Sequence, residues 1–543
     1  RPPRSTPLYS SAASDVYKRQ KLMLEANQIG FQTSSNGDSH TVGMDPSTNE
    51  VLPGKFSNAN NDEINFAVDQ ASEAFEISKN LSGAEKANFL NTIADEIMNL
   101  GDQLISRCCA ESGLPEIRIK GERGRTIAQL QMFANLVNDG SWVEATIERA
   151  MPNRDPIPKP DIRRTLIPLG PVVVFAASNF PLAFSVAGGD TASALAAGNP
   201  VIVKAHRSHP GTSALIASAI VNAAKKAGMP DGIFSLLHGE GSIVGQGLIK
   251  HSKVKAGAFT GSQKAGMLLY ELANQRKEPI PFFAEMGSVN PVLLLPSGLN
   301  STTAKMLSES ITMGVGQFCT NPGLIFAINS DELNNFISEL ANELIQIEPG
   351  VMLNKQICAS YDEEINELLN YQEVSIEGRS EKSKIINSGR PTLASMSASS
   401  FINNLRFTQE VFGPYSLIIR CNEQSEIDEV LNKLDGQLTG SIIGEISDFK
   451  LFQSSIDIMK KKVGRIIYNG VPTGVEVCSS MQHGGPFPAS SDSRFTSVGT
   501  AAIKRFVRPI TFQSWPNDQL PDELRDDNPL KIWRYVDGKL TKD

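Results

Sequence analysis

The sequence predicts an α/β protein in which a doubly wound parallel sheet is followed by a second α/β block. The first observation is a series of short apolar runs between residues 171 and 296: PVVVFAA, PVIVKA, IFSLL, KAGAF, PFFAE and PVLLLP. The second is that Ala-rich stretches of helical pattern separate several of them, at 182–197 and 211–227. Alternating short strands and helices are typical of a parallel sheet covered on both faces. In such sheets, ligands bind at the carboxyl ends of the strands.

Helices are expected before these strands, and extended segments flank them. Apolar residues recur at helical spacing between Asn61 and Leu100, which predicts two helices, and 115–138 predicts a third. The stretch MPNRDPIPKPDI (151–162) is Pro-rich, which disfavours a helix interior or central strand, so we expect an extended link. The segment RFVRPITFQSWP near the C-terminus predicts a strand outside the main core.

The composition is that of a soluble multi-domain protein: 543 residues, 40% hydrophobic and 20% charged. A net charge of -8 argues against general nucleic-acid binding, and no apolar run approaches the roughly 20 residues of a membrane-spanning helix. The six cysteines lack zinc-site spacing, so we expect free thiols and a cytoplasmic location. Residues 1–24 lack the apolar centre of a secretory signal. They are expected to be a disordered or non-native lead, with a transit peptide as the alternative.

Cys319, in MGVGQFCTNPG (313–323), is the candidate nucleophile. A polar Asn-Pro-Gly loop follows it, whereas a core cysteine usually has apolar neighbours. Nucleophilic reaction requires a thiolate, a partner base and donors for an oxyanion. The alternative is a half-buried structural cysteine at a helix end. The local sequence leaves both interpretations open.

Other candidates follow the predicted strands. Glu285, in PFFAEMGSVNP, is either a carboxylate in a ligand crevice or a solvated turn residue. Asn179, in AASNFPLAF, either donates its amide to an oxyanion or serves the turn. Lys204 ends PVIVK, where it contacts a hydroxyl or phosphate or is a routine strand-end charge. Gly261 and Ser262 open GSQKAG, and backbone N–H groups at a helix start attract phosphate.

Taken in order, these stretches resemble the aldehyde dehydrogenase superfamily. The motifs are SNFP, VKAHR, FTGSQKAG, AEMGSVNP, GQFCTNPG, EVFGP and HGGPFP, spread from about residue 40 to residue 510. The segments GERGRTIAQLQMFANLVNDGSW, PKPDIRR and NGVPTGVEVC resemble one branch. That branch contains 2-oxoglutarate semialdehyde (2,5-dioxopentanoate) dehydrogenases and a related NADP-dependent fatty aldehyde dehydrogenase. The resemblance implies NAD(P)-dependent oxidation of a small aldehyde, without a metal.

The resemblance also implies a domain organisation and a homodimer or tetramer. Residues 25–150 and 170–296 would form a Rossmann-like dinucleotide-binding domain, and 297–500 the catalytic domain. Residues 151–169 and 501–543 would form an oligomerisation arm and C-terminal tail.

The resemblance implies a role for each residue that occupies a functional position of the family's motifs. Cys319 would be the nucleophile, Asn179 the oxyanion donor together with the Cys319 backbone N–H, and Glu285 the base for deacylation. Lys204 would hold the adenosine ribose of the coenzyme, and Gly261 with Ser262 its pyrophosphate. Glu410 would hold the nicotinamide ribose.

For the substrate, the resemblance implies that the helix carrying GERGRTIAQLQMFANLV lines the tunnel. Arg125 on this helix is the candidate partner of a substrate carboxylate, with Phe180 and Phe184 beside it; the alternative for Arg125 is an ion pair with Glu122 or another local acid. His483 would lie near the active site, although a polar residue opening a Gly-Gly loop is its simpler interpretation.

The sequence departs from the family pattern at one coenzyme position. Most members have Lys-Pro-x-Glu where this chain has Lys204-Ala205-His206-Arg207. A carboxylate there would repel a 2′-phosphate, whereas a guanidinium pairs well with phosphate, so Arg207 favours NADP over NAD; an arginine turned to solvent is the alternative. Three other functions stay open: oxidation of medium or long-chain aliphatic aldehydes, a CoA-acylating or esterase-like thioester enzyme, and a non-catalytic binding or structural relative.

Overall fold

The computed structural model describes residues 26–543, so the lead expected at residues 1–24 lies outside the described residues. These residues form two seven-stranded sheets, one five-stranded sheet and two small strand pairs. The α/β class expected from the alternating runs is confirmed.

The first sheet is the doubly wound one. Its spatial order is Phe282–Glu285, Ala256–Thr260, Val172–Phe175, Val201–Lys204, Phe234–Leu237, Asn27–Ile29, Gln32–Ser34. The first five strands are parallel, and the last two join antiparallel. Phe175 lies beside Lys204, and Thr260 beside Glu285, in register. The carboxyl ends of these strands therefore meet at one edge, as the sequence predicted.

Helices cover both faces of this sheet because its side chains alternate between two apolar layers. Val172 and Val174 pack in one layer, and Val173 and Phe175 in the other. The helices of this half are Asn61–Ser78, Gly83–Asn99, Gly101–Ser112, Glu116–Asp139, Gly189–Ala197, Pro210–Lys226, Gln246–Lys250 and Gln263–Asn274. None of the helices within residues 26–543 has the length and apolar character to cross a membrane.

The helix predicted over 182–197 was wrong in its first part, since the structure has a helix only over Gly189–Ala197. The backbone N–H groups of Leu182 and Ala183 donate instead to the Glu122 carboxylate, at 2.8 and 3.0 Å. Glu122 is buried on the helix Glu116–Asp139. This contact fixes the Asn179–Phe184 loop on that helix.

The second sheet has the order Ser375–Arg379, Thr392–Ser397, Tyr415–Cys421, Leu324–Ile328, Val292–Leu294, Gln437–Ile443, Val463–Tyr468. Val292–Leu294 was predicted with the first block, and this was wrong: it pairs with Leu324–Ile328 and Gln437–Ile443. The chain turns between Glu285 and Val292, and Asn290 takes a left-handed φ of 45° in this turn. The surrounding helices are Ser301–Thr312, Asp331–Ile345, Lys355–Leu369, Ala398–Asn403, Gln424–Lys433 and Ile446–Lys462.

The five-stranded sheet joins the two regions predicted as an arm. Its order is Val507–Gln513, Ile162–Pro168, Thr146–Glu148, Arg534–Val536, Lys539–Thr541. Thr146–Glu148 also belongs to it, so this sheet begins before residue 151. Val507–Gln513 is an edge strand that pairs on one side only with Ile162–Pro168. The two small strand pairs are His40–Met44 with Val51–Ser57, and Gly350–Val351 with Ser388–Gly389.

Candidate active site

A cleft of about 450 Å³ opens at the carboxyl ends of the first sheet's parallel strands. Its walls come from both seven-stranded sheets and their connections. Among the lining residues are seven that the sequence singled out: Asn179, Arg207, Gly261, Ser262, Glu285, Cys319 and Glu410. Residues separated by more than 200 positions in the chain therefore meet around one space.

The loop that carries Cys319 is fixed by a buried asparagine. The helix Ser301–Thr312 ends before it, and Gly314 and Val315 take left-handed backbone conformations. The Asn290 amide donates to the backbone carbonyls of Cys319 and Asn321, both at 2.9 Å. Thr439 holds Asn290 in turn, donating its hydroxyl at 2.8 Å. Asn290 was missed by sequence reasoning, although it lies within the motif AEMGSVNP.

Two hydrogen-bond donors belong to residues that line the cleft together, the Asn179 side chain and the Cys319 backbone. The Asn179 side-chain amide donates one hydrogen to the Gln317 carbonyl at 3.0 Å, which leaves its second hydrogen free. Within residues 26–543, no backbone carbonyl accepts a hydrogen bond from the N–H of Cys319, which faces only its own thiol. Free donors of this kind stabilise an oxyanion on an attacked carbonyl carbon.

Burial controls the ionisation of the acidic groups in the cleft. It raises the pKa of Cys319 to about 12, with the nearby Glu285 and Glu410 carboxylates adding to the shift. Burial likewise raises the pKa of Glu285 to about 8 and that of Glu410 to about 8. Burial thus favours the neutral forms of all three groups near pH 7, and a positive charge entering the cleft would favour ionisation.

His483 lies between the thiol and the carboxyl group. Its Nε2 atom is 3.7 Å from Cys319 Sγ and 3.8 Å from Glu285 Oε2. Burial lowers the pKa of this imidazole to about 3. The ring also packs edge-on against Phe184, with centroids 6.1 Å apart.

The predicted coenzyme residues lie at the other end of the cleft. Ser262 caps the helix Gln263–Asn274, accepting a hydrogen bond from the Ala265 N–H. Lys204 ends its strand next to the cleft, and burial lowers its pKa to about 8. Arg207 donates a hydrogen bond to Gln356, which stands on the opposite wall.

Glu410 lies against Gly287, where the backbone must approach closely. A Cβ atom at Gly287 would come within 2.2 Å of Glu410 Oε2, so any other residue would displace this carboxyl group. The motif AEMGSVNP therefore needs glycine at position 287, because only glycine leaves room for the Glu410 carboxyl group.

Aromatic rings pack against one another around the Asn179–Phe184 loop. Phe180 contacts Phe184 and Phe318, at centroid distances of 5.2 and 5.1 Å. Two arginines of the helix Glu116–Asp139 cover these rings: Arg118 lies 4.5 Å from the Phe180 centroid, and Arg125 lies 5.5 Å from that of Phe184. Arg118 was not singled out from the sequence because nothing local marks it as facing the site.

Arg125 has an incompletely paired guanidinium. Nη1 donates to the Val475 carbonyl at 2.6 Å, but Nε and Nη2 are buried and have no hydrogen-bond partner in the described chain. The ion pair expected as the alternative is not formed with Glu122, which contacts Arg118 at 3.5 Å instead. Arg465 supports the same loop by donating to the carbonyls of Pro472 and Gly474.

Comparison with known sequences gives matches along nearly the whole chain. The profile of the Aldehyde dehydrogenase family matches residues 32–486. The Alpha-ketoglutaric semialdehyde dehydrogenase 2 of Azospirillum brasilense is 46% identical over 515 residues, which cover 94% of this chain and 98% of that protein. An Alpha-ketoglutaric semialdehyde dehydrogenase of Acinetobacter baylyi is 44% identical over 491 residues, covering 90% and 93%.

Solved structures share the fold. A 1-pyrroline-5-carboxylate dehydrogenase from Thermus with bound NAD superposes with a TM-score of 0.75 at 19% identity, covering 94% of this chain and 99% of that one. A 3,6-anhydro-L-galactose dehydrogenase in complex with NAP gives 0.77 at 19% identity, covering 90% and 99%. The family match, the identity to these relatives and the shared fold agree, and the chain belongs to the aldehyde dehydrogenase family of oxidoreductases that act on aldehydes.

Proposed function

We propose that this enzyme oxidises 2-oxoglutarate semialdehyde to 2-oxoglutarate with NAD(P). The observation that carries the substrate is Arg125, whose buried Nε and Nη2 have no partner within residues 26–543. Arg125 as a whole is half-buried, but leaving these two buried N–H groups unpaired is costly, and a carboxylate would satisfy both at once. The similarity to relatives named as alpha-ketoglutaric semialdehyde dehydrogenases supports the same substrate.

The cleft fits a dinucleotide coenzyme. It joins the helix start at Ser262 to the Cys319 loop, and Glu410 lies between them on its wall. Lys204 and Ser262 would hold the adenosine ribose and the pyrophosphate, and Glu410 the nicotinamide ribose. When bound, NAD(P) supplies the hydride acceptor that turns a thiohemiacetal into a thioester.

The protein's own residues account for the remaining chemistry. The Cys319 thiol loses its proton to water, and the thiolate attacks the aldehyde carbon; the resulting oxyanion accepts hydrogen bonds from Asn179 and from the Cys319 backbone N–H. After hydride has left, Glu285 takes a proton from water, and the hydroxide attacks the thioester carbon. The thiolate of Cys319 is the leaving group, and the carboxylic acid departs.

Arg207 favours NADP over NAD in this proposal. The guanidinium lines the cleft, and in the described chain no carboxylate lies within ion-pair distance of it. Its partner is the neutral Gln356 amide, so its charge is not neutralised locally. A 2′-phosphate on the adenosine ribose would pair with such a group.

The five-stranded sheet is proposed to be the oligomerisation arm of a homodimer or tetramer. Within residues 26–543, Val507–Gln513 pairs only with Ile162–Pro168, so its other edge would pair with a strand of a second copy.

The function is tested by recording NAD(P)H formation with purified enzyme. The substrates are 2-oxoglutarate semialdehyde, pentanal as an uncharged aldehyde of the same length, and dodecanal, each with NAD and with NADP. We expect the highest kcat/KM for the acidic aldehyde with NADP. Preference for dodecanal would instead favour an enzyme of aliphatic aldehydes, and absence of NAD(P)H with every aldehyde would favour a CoA-dependent or non-catalytic relative.

A further inference from the structure

His209 is a buried histidine that has no part in the reaction proposed above. It is only 1% exposed and stands directly before the helix Pro210–Lys226. Its Nε2 atom lies 2.8 Å from the Ala177 carbonyl oxygen, and its Nδ1 atom lies 3.2 Å from Ser213 Oγ. Burial lowers the pKa of this imidazole, so the ring is neutral near pH 7. Because a carbonyl oxygen can only accept, the ring hydrogen is on Nε2 and is donated to Ala177.

The Ala177 carbonyl belongs to the backbone that leads from the first sheet to Asn179. The Ala177 N–H donates to the Phe184 carbonyl at 3.0 Å, so this residue has already left the sheet's hydrogen-bond ladder. The peptide group between Ala177 and Ser178 is therefore not oriented by a neighbouring strand. It is oriented by His209 instead. Since Asn179 follows at once, any rotation of this peptide group would move its side chain.

A buried ion pair fixes the helix start beside His209. The Glu111 carboxylate accepts hydrogen bonds from the Gly211 and Thr212 backbone N–H groups, each at 2.8 Å, and pairs with Arg107 at 2.7 Å. The first N–H groups of a helix need acceptors, and a carboxylate there is stabilising. A Cβ atom at Gly211 would come within 2.2 Å of Arg107 Nε, so the packing is tight. The imidazole is therefore held from a fixed point of the fold.

The same imidazole contacts the loop that we expect to hold the coenzyme. The His206 ring stacks on it, with centroids 5.5 Å apart and an interplanar angle of 29°. His206 and Arg207 line the cleft, and Lys204 ends the strand before them. His209 thus connects the coenzyme end of the cleft with the loop that carries Asn179.

We propose that His209 is a positioning residue for the oxyanion donor Asn179. Its Nε2–H group holds the Ala177 carbonyl, and this bond sets the direction in which the Asn179 amide leaves the backbone. His209 is not among the residues that line the cleft, so it acts through Asn179 and touches no reacting atom. The proposal rests on the proposed function, from which it takes the role of Asn179.

The test is the rate of aldehyde oxidation at saturating coenzyme. His209→Leu removes the donor, and a catalytic group displaced by about 1 Å can cost roughly 100-fold, so we expect kcat to fall on that scale. His209→Gln keeps an N–H donor near the Nε2 position and should recover most of the rate. His238→Leu is the matched control, because His238 is equally buried beside the neighbouring strand and its Nε2 has no hydrogen-bond partner within residues 26–543. It should keep kcat near the wild-type value.

Two further measurements separate positioning from a general loss of structure. Alkylation of Cys319 by iodoacetamide forms no oxyanion, so its rate constant should be unchanged in His209→Leu. Attack of Cys319 on 4-nitrophenyl acetate does form an oxyanion, and ester hydrolysis should fall together with aldehyde oxidation. In the Asn179→Ala background, His209→Leu should cause no further loss, because the group that it positions is gone.

Thermal melts check the folding of every variant, and His209→Phe, which keeps a ring but has no donor, repeats the test if His209→Leu does not fold. Wild-type kcat in these variants would overturn the proposal. An equal loss of alkylation and oxidation would also overturn it, as would a further loss in the Asn179→Ala background. A wild-type enzyme that hydrolyses the ester but oxidises no aldehyde would refute the proposed function, and ester hydrolysis would still decide the role of His209.

Discussion

Replacing Arg125 by methionine removes the charge that we expect to bind the substrate's carboxylate while keeping an unbranched side chain in the channel. Two buried N–H groups, on Nε and Nη2, are available for the anion. Hydrogen bonds to charged groups contribute about 1.5–3 kcal/mol each, and the lower value is appropriate because Arg125 is only half-buried. The loss is then about 3 kcal/mol, or roughly 100-fold in kcat/KM.

The assay compares kcat/KM for 2-oxoglutarate semialdehyde with that for pentanal in each variant. Arg125 also donates to the Val475 carbonyl, so the variant loosens that loop for both aldehydes alike. The ratio of the two kcat/KM values therefore isolates the carboxylate contact. Arg123→Met is the matched control, because Arg123 is on the same helix but donates to Gly101 instead. An equal loss for both aldehydes would refute the assignment of Arg125 to the substrate carboxylate.

Further variants test the remaining assignments. Cys319→Ala should abolish oxidation while coenzyme binding, measured by calorimetry, is retained; substantial turnover would contradict the nucleophile. Glu285→Gln should give a burst of NAD(P)H followed by slow turnover, and wild-type deacylation should rise as the pH passes through about 8, because water activation needs the ionised carboxylate. A variant that keeps this pH profile would exclude Glu285 as the base. Arg207→Glu should shift the NADP/NAD ratio of kcat/KM toward NAD, and an unchanged ratio would argue against phosphate recognition. Light scattering should give a dimer or tetramer, and a monomer at assay concentration would contradict the proposed arm.

The five parallel strands of the first sheet could be predicted one by one, because each is a short apolar run between turns or helices. The polar strands Asn27–Ile29 and Gln32–Ser34 were missed because they carry no such run. Assignment to the correct sheet could not be predicted in the same way. PVLLLP has the same pattern as its predecessors, and nothing in its own residues tells that Val292–Leu294 pairs in the second sheet. The start of the next helix at Gly189 could not be predicted from the local sequence either. The preceding backbone at Leu182 bonds to Glu122, which is 60 positions away in the chain.

The candidate site was predicted largely through family resemblance. The residues that the resemblance did not indicate are those whose contacts form only in the folded structure. Resemblance pointed to Cys319, Asn179 and Glu285, which line one cleft. It gave no reason to select Asn290, whose role depends on two carbonyls reached only after folding. The exact position of His483 between sulfur and carboxyl likewise follows from tertiary packing and from no local pattern.

The turn after Glu285 links the base to the nucleophile over a very short length of chain. Glu285 ends a strand of the first sheet. Five residues later, the Asn290 side chain donates a hydrogen bond to the Cys319 carbonyl, beside the second sheet. The spacing between the two reacting groups is thus sensitive to any small slip of one sheet past the other. Enzyme activity should therefore be lost at urea concentrations well below those that unfold the helices. The turnover rate would then report small changes in the relative position of the two sheets.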